Sequence, residues 1–351
     1  MVVAGASMGG LVGRYALSYM ETHGIPHATR TFLSFDSPQG GANVPLGIQY
    51  WLWFFQDDSE AAAALLAALD TPGARQMLAY HHTDPPSGTG QADPLRAQLL
   101  ADSAAVGDWP AQPRKAAIAN GSGLRQGQGF LAGDQIIRWE YYSFLVDVVG
   151  NVWSVPDGGS REIFHGLIDI ILLPEDEASV SVAGTRPFDN APGGWRDSMA
   201  EMDATEAPYG DIVALHPNHC FIPAVSALAL DTDDLFHDIA GDPDLLARTP
   251  FDAVYFPSAP PNQEHVEITA ENAAWFLAEV TAGANSVDGG GPAEPAGAAG
   301  RAAIDEVAPN PAAEGTRIRF TVPRAGRARL CLYDAAGRHV AVLADGEYAP
   351  G

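Results

Sequence analysis

Residues 5–10 read Gly-Ala-Ser-Met-Gly-Gly, which sets a serine between small residues close to the start of a 351-residue chain. An apolar run, Val2-Val3-Ala4, precedes this stretch, and a helical pattern (GLVGRYALSYMET) follows it. A serine at such a strand-to-helix turn is a candidate nucleophile. The sharp turn lifts Oγ clear of the backbone, so the positions two before and two after must lack bulky side chains. Here those are Gly5 and Gly9. The helix start adds unpaired amides and a dipole that favours a developing oxyanion, and the Met8 N–H is the first donor in place. The competing reading is a glycine-rich turn with an incidental serine. A bare G-x-S-x-G is weak, but strand, elbow and helix fall here in the required order.

The elements around this turn follow from periodicity. Residues 2–6 and 31–35 read as short buried strands, the second closed by DSPQGG at 36–41. Residues 51–79 are Ala/Leu-rich and helical, residues 115–120 (KAAIAN) form a third strand, and a glycine-rich loop runs on to Asp134. Residues 163–173 and 178–183 look β-like, whereas 187–196 (PFDNAPGGWR) is a loop. A fourth strand at 254–256 leads to a closing helix at 271–280. Strands alternating with helices predict an α/β fold, a mostly parallel sheet with helices on both faces and large insertions.

The stretch GASMGGLVGRYAL resembles the elbow of α/β-hydrolase lipases and esterases, including the serine esterase and GPI inositol-deacylase-like group. The loop DSPQGG resembles the proline–glycine loop after the next strand of those enzymes, and with gaps the likeness runs from Val2 to about Val280. It implies the chain order serine, acid, histidine. His265, in PNQEHV between the fourth strand and the closing helix, is the expected general base. His216 and His219 come too early for that order, and the His81-His82 pair reads as a solvated part of a polar loop. For the acid, taking the 115–120 strand as landmark favours Asp134. Asp36 and Asp189 are the alternatives, and each of the three can equally serve as a loop aspartate bonding its own backbone. The likeness also implies earlier strands, one of them carrying a second oxyanion donor, so an N-terminally truncated hydrolase domain over 1–281 is expected, weakly active or inactive alone.

Other chemistries fit less well. The loop at 121–134 misses G-x-G-x-x-G because Gln126 stands where the third glycine belongs. The acidic clusters PEDE (174–177) and DTDD (231–234) lack EF-hand spacing and read as solvated loops. The aromatic run Trp51-Leu52-Trp53-Phe54-Phe55 is either a lid over the nucleophile or an ordinary core helix, within insert regions of about 47–110 and 135–215. No cofactor and no metal site is expected. Cys220 and Cys331, the two cysteines, fall in different domains and exclude a disulfide framework.

Acidic residues number 44 against 19 basic, for a net charge of −25, and Lys115 is the only lysine. Such a surface repels phosphate backbones, which argues against a nucleic-acid partner. Residues 282–303 are Gly/Ala/Pro-rich and read as a linker. Beyond it, TRIRFTV and ARLCLY alternate as half-buried antiparallel strands do. With Pro309-Asn310-Pro311, Val322-Pro323 and Leu332-Tyr333-Asp334 ahead of Gly337-Arg338, residues 304–351 resemble an incomplete FlgD-like immunoglobulin-type module, a small partial β-sandwich. They also resemble the sorting domains of type IX secretion. That likeness implies a secreted or cell-surface protein attached through this module. The sequence thus predicts a secreted carboxylic-ester hydrolase acting on a small-molecule or lipid ester through an acyl-enzyme on Ser7. An acyltransferase using the same residues and a non-catalytic surface scaffold are the other readings.

Overall fold

A computed structural model describes residues 1–83, 93–258, 261–282, 303–308, 317–322, 325–333 and 339–349. They divide into two units, Met1–Val287 and Asp288–Gly351.

The first unit begins with β1 (Val2–Ala6), α1 (Met8–Thr22) and β2 (Thr31–Phe35), followed by four helices. These are α2 (Leu46–Phe54), α3 (Glu60–Leu69), α4 (Pro72–Met77) and α5 (Pro94–Ala105). Next come β3 (Arg114–Ile118), β4 (Gln135–Arg138), β5 (Glu140–Tyr142), β6 (Val146–Trp153), β7 (Arg161–Ile170) and β8 (Asp176–Val182). The remainder is β9 (Gly193–Arg196), α6 (Ser198–Asp203), β10 (Val213–Ala214), β11 (His219–Pro223), α7 (Ala224–Ala227), β12 (Ala253–Tyr255) and α8 (Ala270–Ala282).

Four strands pair in the order β1-β2-β3-β12, every pair parallel. The inner strands β2 and β3 are covered on both faces, so they read as apolar runs rather than alternating ones. Phe32 and Ala117 belong to the large core that also takes Leu17 of α1. Leu33, Ala116 and Ile118 point the other way, onto Trp275 and Phe276 of α8. The class is therefore mixed α/β, with all four strands of the parallel sheet on the segments that periodicity had marked.

The insert between β3 and β12 builds a second, antiparallel sheet of order β10-β4-β6-β7-β8, with β5 pairing on β6. The β-like segments expected at 163–173 and 178–183 are β7 and β8, whereas β4, β5 and β6 carried no clear signal. Helix α2 packs on this sheet. Trp51 lies 4.7 Å from Phe55, Phe55 5.0 Å from Trp139, and Phe54 5.7 Å from Phe164, ring centre to ring centre. Of the aromatic run only Trp53 is exposed. This is the core-helix alternative. A lid would have to present its apolar face outward, and this face is filled by the insert sheet.

In the second unit, β13 (Ala303–Ala308) pairs antiparallel with β14 (Arg317–Thr321), and β15 (Gly326–Tyr333) with β16 (His339–Tyr348). The rings of Phe320 and Tyr348 meet at 5.2 Å, edge to face. Residues 283–302 of the expected linker, Pro309-Asn310-Pro311, Pro323 and the turn at 334–338 lie outside the described residues. Both cysteines are free. Among the described residues no helix is long and apolar enough to cross a membrane.

Candidate active site

Ser7 stands between β1 and α1 with φ 52° and ψ −129°, a region that L-residues avoid. Such a backbone costs on the order of 1–3 kcal/mol and persists only where its surroundings impose it. The imposition is visible. The Ser7 N–H donates to Phe35 O of the neighbouring strand at 3.0 Å, and Ser7 O accepts from Gly10 N at 3.1 Å. A Cβ on Gly5 would strike the Gly9 carbonyl, and one on Gly10 would run into Ser37 Oγ. Around Gly9 a Cβ would meet nothing within 4 Å. The elbow therefore needs Gly5 and Gly10, not the Gly5 and Gly9 expected from the motif, because α1 approaches the 36–41 loop on its Gly10 side. The Met8 N–H opens α1 and has no acceptor one turn back within the helix.

His265 hangs from the loop between β12 and α8. Its Nε2 lies 2.9 Å from Ser7 Oγ, and its Nδ1 lies 2.7 Å from Asp36 Oδ2. The Asp36 carboxylate accepts only, so the imidazole keeps its proton on Nδ1 and turns a lone pair on Nε2 toward the serine hydroxyl. The Phe221 ring stands edge-on at 4.8 Å, and the His265 N–H donates to Trp195 O at 2.9 Å. Its side chain is 2% exposed. Asp36 follows β2 directly, is fully buried, and has a positive φ of 42°. Its second oxygen, Oδ1, accepts from the Asn120 N–H at 3.0 Å, and its own N–H donates to Ile118 O at 2.7 Å. Burial is thereby offset at both carboxylate oxygens.

Asp134, the preferred acid from sequence, is elsewhere. Its Oδ2 accepts from Leu131 N at 2.7 Å, turning the chain into β4 of the insert sheet. The residue that β3 delivers to the site is Asn120, just past the strand end. An acid far down the following loop belongs to another layer. Asp189 is also no partner of His265. It is buried, with Oδ1 taking Asn43 Nδ2 at 2.9 Å and Oδ2 taking Val155 N at 2.7 Å, and burial pushes its carboxyl up to about 6.

That shift has a testable sign. A carboxyl raised in the folded state adds stability below its unfolded value, near 3.8, and loses it as pH rises through about 6. Between about pH 4 and pH 7 the wild type should lose up to about 3 kcal/mol relative to Asp189→Asn. Denaturant titrations of both proteins across that range check it. A constant difference would mean that Asp189 titrates normally.

His219 is buried against Ser198 Oγ at 3.1 Å and Cys220 O at 3.0 Å, and desolvation pushes it down to about 4. His216 stacks on Phe130 at 4.8 Å. Both serve the insert's packing. The His81-His82 pair is also not solvated, for the His81 side chain is fully buried.

Several positioning residues escaped the sequence reading. Asn262 Oδ1 accepts from Ser122 N at 2.8 Å and Gly193 N at 3.1 Å, while its Nδ2 donates to Gln126 O at 2.9 Å. One side-chain amide thus ties the histidine loop to the loop after β3 and to the first residue of β9. Asn120 Nδ2 adds bonds to Gln263 Oε1 and Glu267 O, each at 2.9 Å. The sequence signal was faint: an asparagine ending a strand, and another three residues before the histidine. A groove of about 660 Å³, lined by Trp195, Gln126, Gln128, Asn262 and Gln263 among others, borders this loop. An apolar trough of about 430 Å³ runs beside Ala4, Ala6, Phe35, Ile268, Phe276 and Leu277.

Compared with known proteins, the chain matches no family model, no curated protein and no solved structure.

Proposed function

We propose that the first unit is a serine hydrolase of the α/β-hydrolase kind, cleaving carboxylic esters through an acyl-enzyme. The observation that carries this reading is the unbroken line Ser7 Oγ, His265, Asp36, with contacts of 2.9 and 2.7 Å. His265 takes the Ser7 proton as Oγ attacks the ester carbonyl, and Asp36 stabilises the imidazolium that forms. The developing oxyanion lies at the start of α1, where the Met8 N–H donates to it. His265 then passes its proton to the leaving alcohol. Water, activated by the same histidine, attacks the acyl group and regenerates Ser7. The groups of this chain that act are the Ser7 hydroxyl, the His265 imidazole, the Asp36 carboxylate and the Met8 N–H.

The ester is of small-molecule or lipid class. The likeness of residues 304–351 to FlgD-like and type IX sorting modules supports an exported protein attached through its C-terminal unit.

The direct test is a fluorophosphonate probe, which phosphonylates only an activated serine. The full chain should take up one equivalent, and peptide mass mapping should place it on Ser7. Absence of labelling, or labelling elsewhere, would sink the proposal.

A further inference from the structure

Two adjacent histidines and one aspartate, none used by the site above, converge at the end of α3. Asp70 caps that helix, and the pair follows α4. The Asp70 Oδ1 atom lies 2.7 Å from His82 Nε2 and 3.4 Å from His81 Nε2. The Leu69 carbonyl oxygen lies 3.2 Å from the same His81 nitrogen. The ligand atoms of the three side chains all fall within 4.8 Å of one another.

We propose that His81 Nε2, His82 Nε2 and Asp70 Oδ1 bind one zinc ion, with the Leu69 carbonyl oxygen closing the fourth position. The spacing suits this ion. Zinc–ligand bonds of about 2.0–2.1 Å place neighbouring atoms of a tetrahedron roughly 3.3 Å apart. Two of the three short separations already have that length, and the third opens by only about half an ångström. Two imidazoles with a carboxylate favour zinc over calcium or magnesium, which prefer all-oxygen shells.

The surroundings orient the ligands. His81 Nδ1 lies 2.8 Å from Thr83 Oγ1, whose hydroxyl points on to the buried Asp93 carboxylate at 3.4 Å. The Thr83 N–H donates to Nδ1 at 3.3 Å while Nε2 faces the Leu69 carbonyl, so zinc binding moves the His81 proton from Nε2 to Nδ1, where Thr83 Oγ1 accepts it. His82 is fixed through its backbone, its N–H donating to Gln49 Oε1 at 3.0 Å and its carbonyl accepting from Tyr50 OH at 2.9 Å. The C-terminus of α3 turns its negative dipole end to the same spot. An ion here clamps α3 to the segment after α4 and to α2. None of its ligands bonds Ser7, Asp36 or His265, so its role is structural.

The test uses the full chain, stripped with a chelator and dialysed, then titrated with zinc and, separately, with cobalt(II). Expected are one zinc per chain, tetrahedral cobalt absorption bands, and a raised melting temperature on zinc addition. His82→Ala and Asp70→Asn, at the less buried positions, should each weaken binding by about 100-fold or more. His265→Ala should bind zinc as the wild type does, which separates this site from the catalytic proposal. Zinc binding unchanged by both ligand variants, or absent from the folded wild type, would overturn the assignment.

Discussion

Ser7→Ala should bring the hydrolysis of p-nitrophenyl acetate down to the solution background, a loss of up to about 10⁶ in kcat where the wild-type rate allows it to be read. The residue supplies the one nucleophilic oxygen on His265, and alanine leaves the strained turn without its purpose while removing no packing. His265→Ala should cost a similar factor, and the double variant no more than either single one, because the two act as a unit. Initial rates of the three variants, with circular dichroism melts to verify folding, check this. A Ser7→Ala rate within tenfold of the wild type would remove Ser7 from the chemistry and leave the strained elbow without an explanation.

Asp36→Asn should lower kcat by about 10⁴ with little change in KM. The asparagine fills the same space and can still accept from the Asn120 N–H. Facing His265, however, it presents an amide donor or a neutral carbonyl in place of a carboxylate. The donor form drives the imidazole proton to Nε2, where it points at Ser7 Oγ and blocks proton removal. The carbonyl form leaves the imidazolium without its counter-charge. Asp134→Asn should change the rate less than about twofold, since that carboxylate only caps a turn at Leu131. Steady-state kinetics of the pair, side by side, decide between the two aspartates. Equal losses in both, or a larger one in Asp134→Asn, would refute the arrangement.

The contrast between these aspartates shows what a sequence can carry. The four parallel strands, the elbow serine and the histidine before α8 each have a local pattern: a short apolar run, glycines at fixed offsets, a polar loop between a strand and a helix. The choice of acid has none. It depends on which strand end lies beside the histidine loop, and both β2 and β3 end there, one in Asp36 and the other in Asn120. Counting strands pointed to β3, whose nearest acid lies well along a loop that leaves for another sheet. Asp36 could take its place because aspartate tolerates the left-handed backbone that turns its carboxylate inward. The insert sheet was legible only in part. Gly150-Asn151 interrupts the alternation of β6, and burial of Val148, Val149 and Val152 masks its period. Nor could the burial of His81 be read, since it depends on Leu69 and Asp70, a helix away, and on α2 much earlier in the chain.

Ser7 follows β1 directly, and the backbone that aims it is tied to the neighbouring strand through the bond from Ser7 N to Phe35 O. Local openings cost less than unfolding a whole domain. Each break of that bond lets the forced φ relax, which carries Oγ off His265 while the core stays intact. Heat or mild denaturant would then silence the nucleophile before the chain melts. Any contact that quiets the elbow, bound substrate included, would sharpen the reaction without touching a catalytic group.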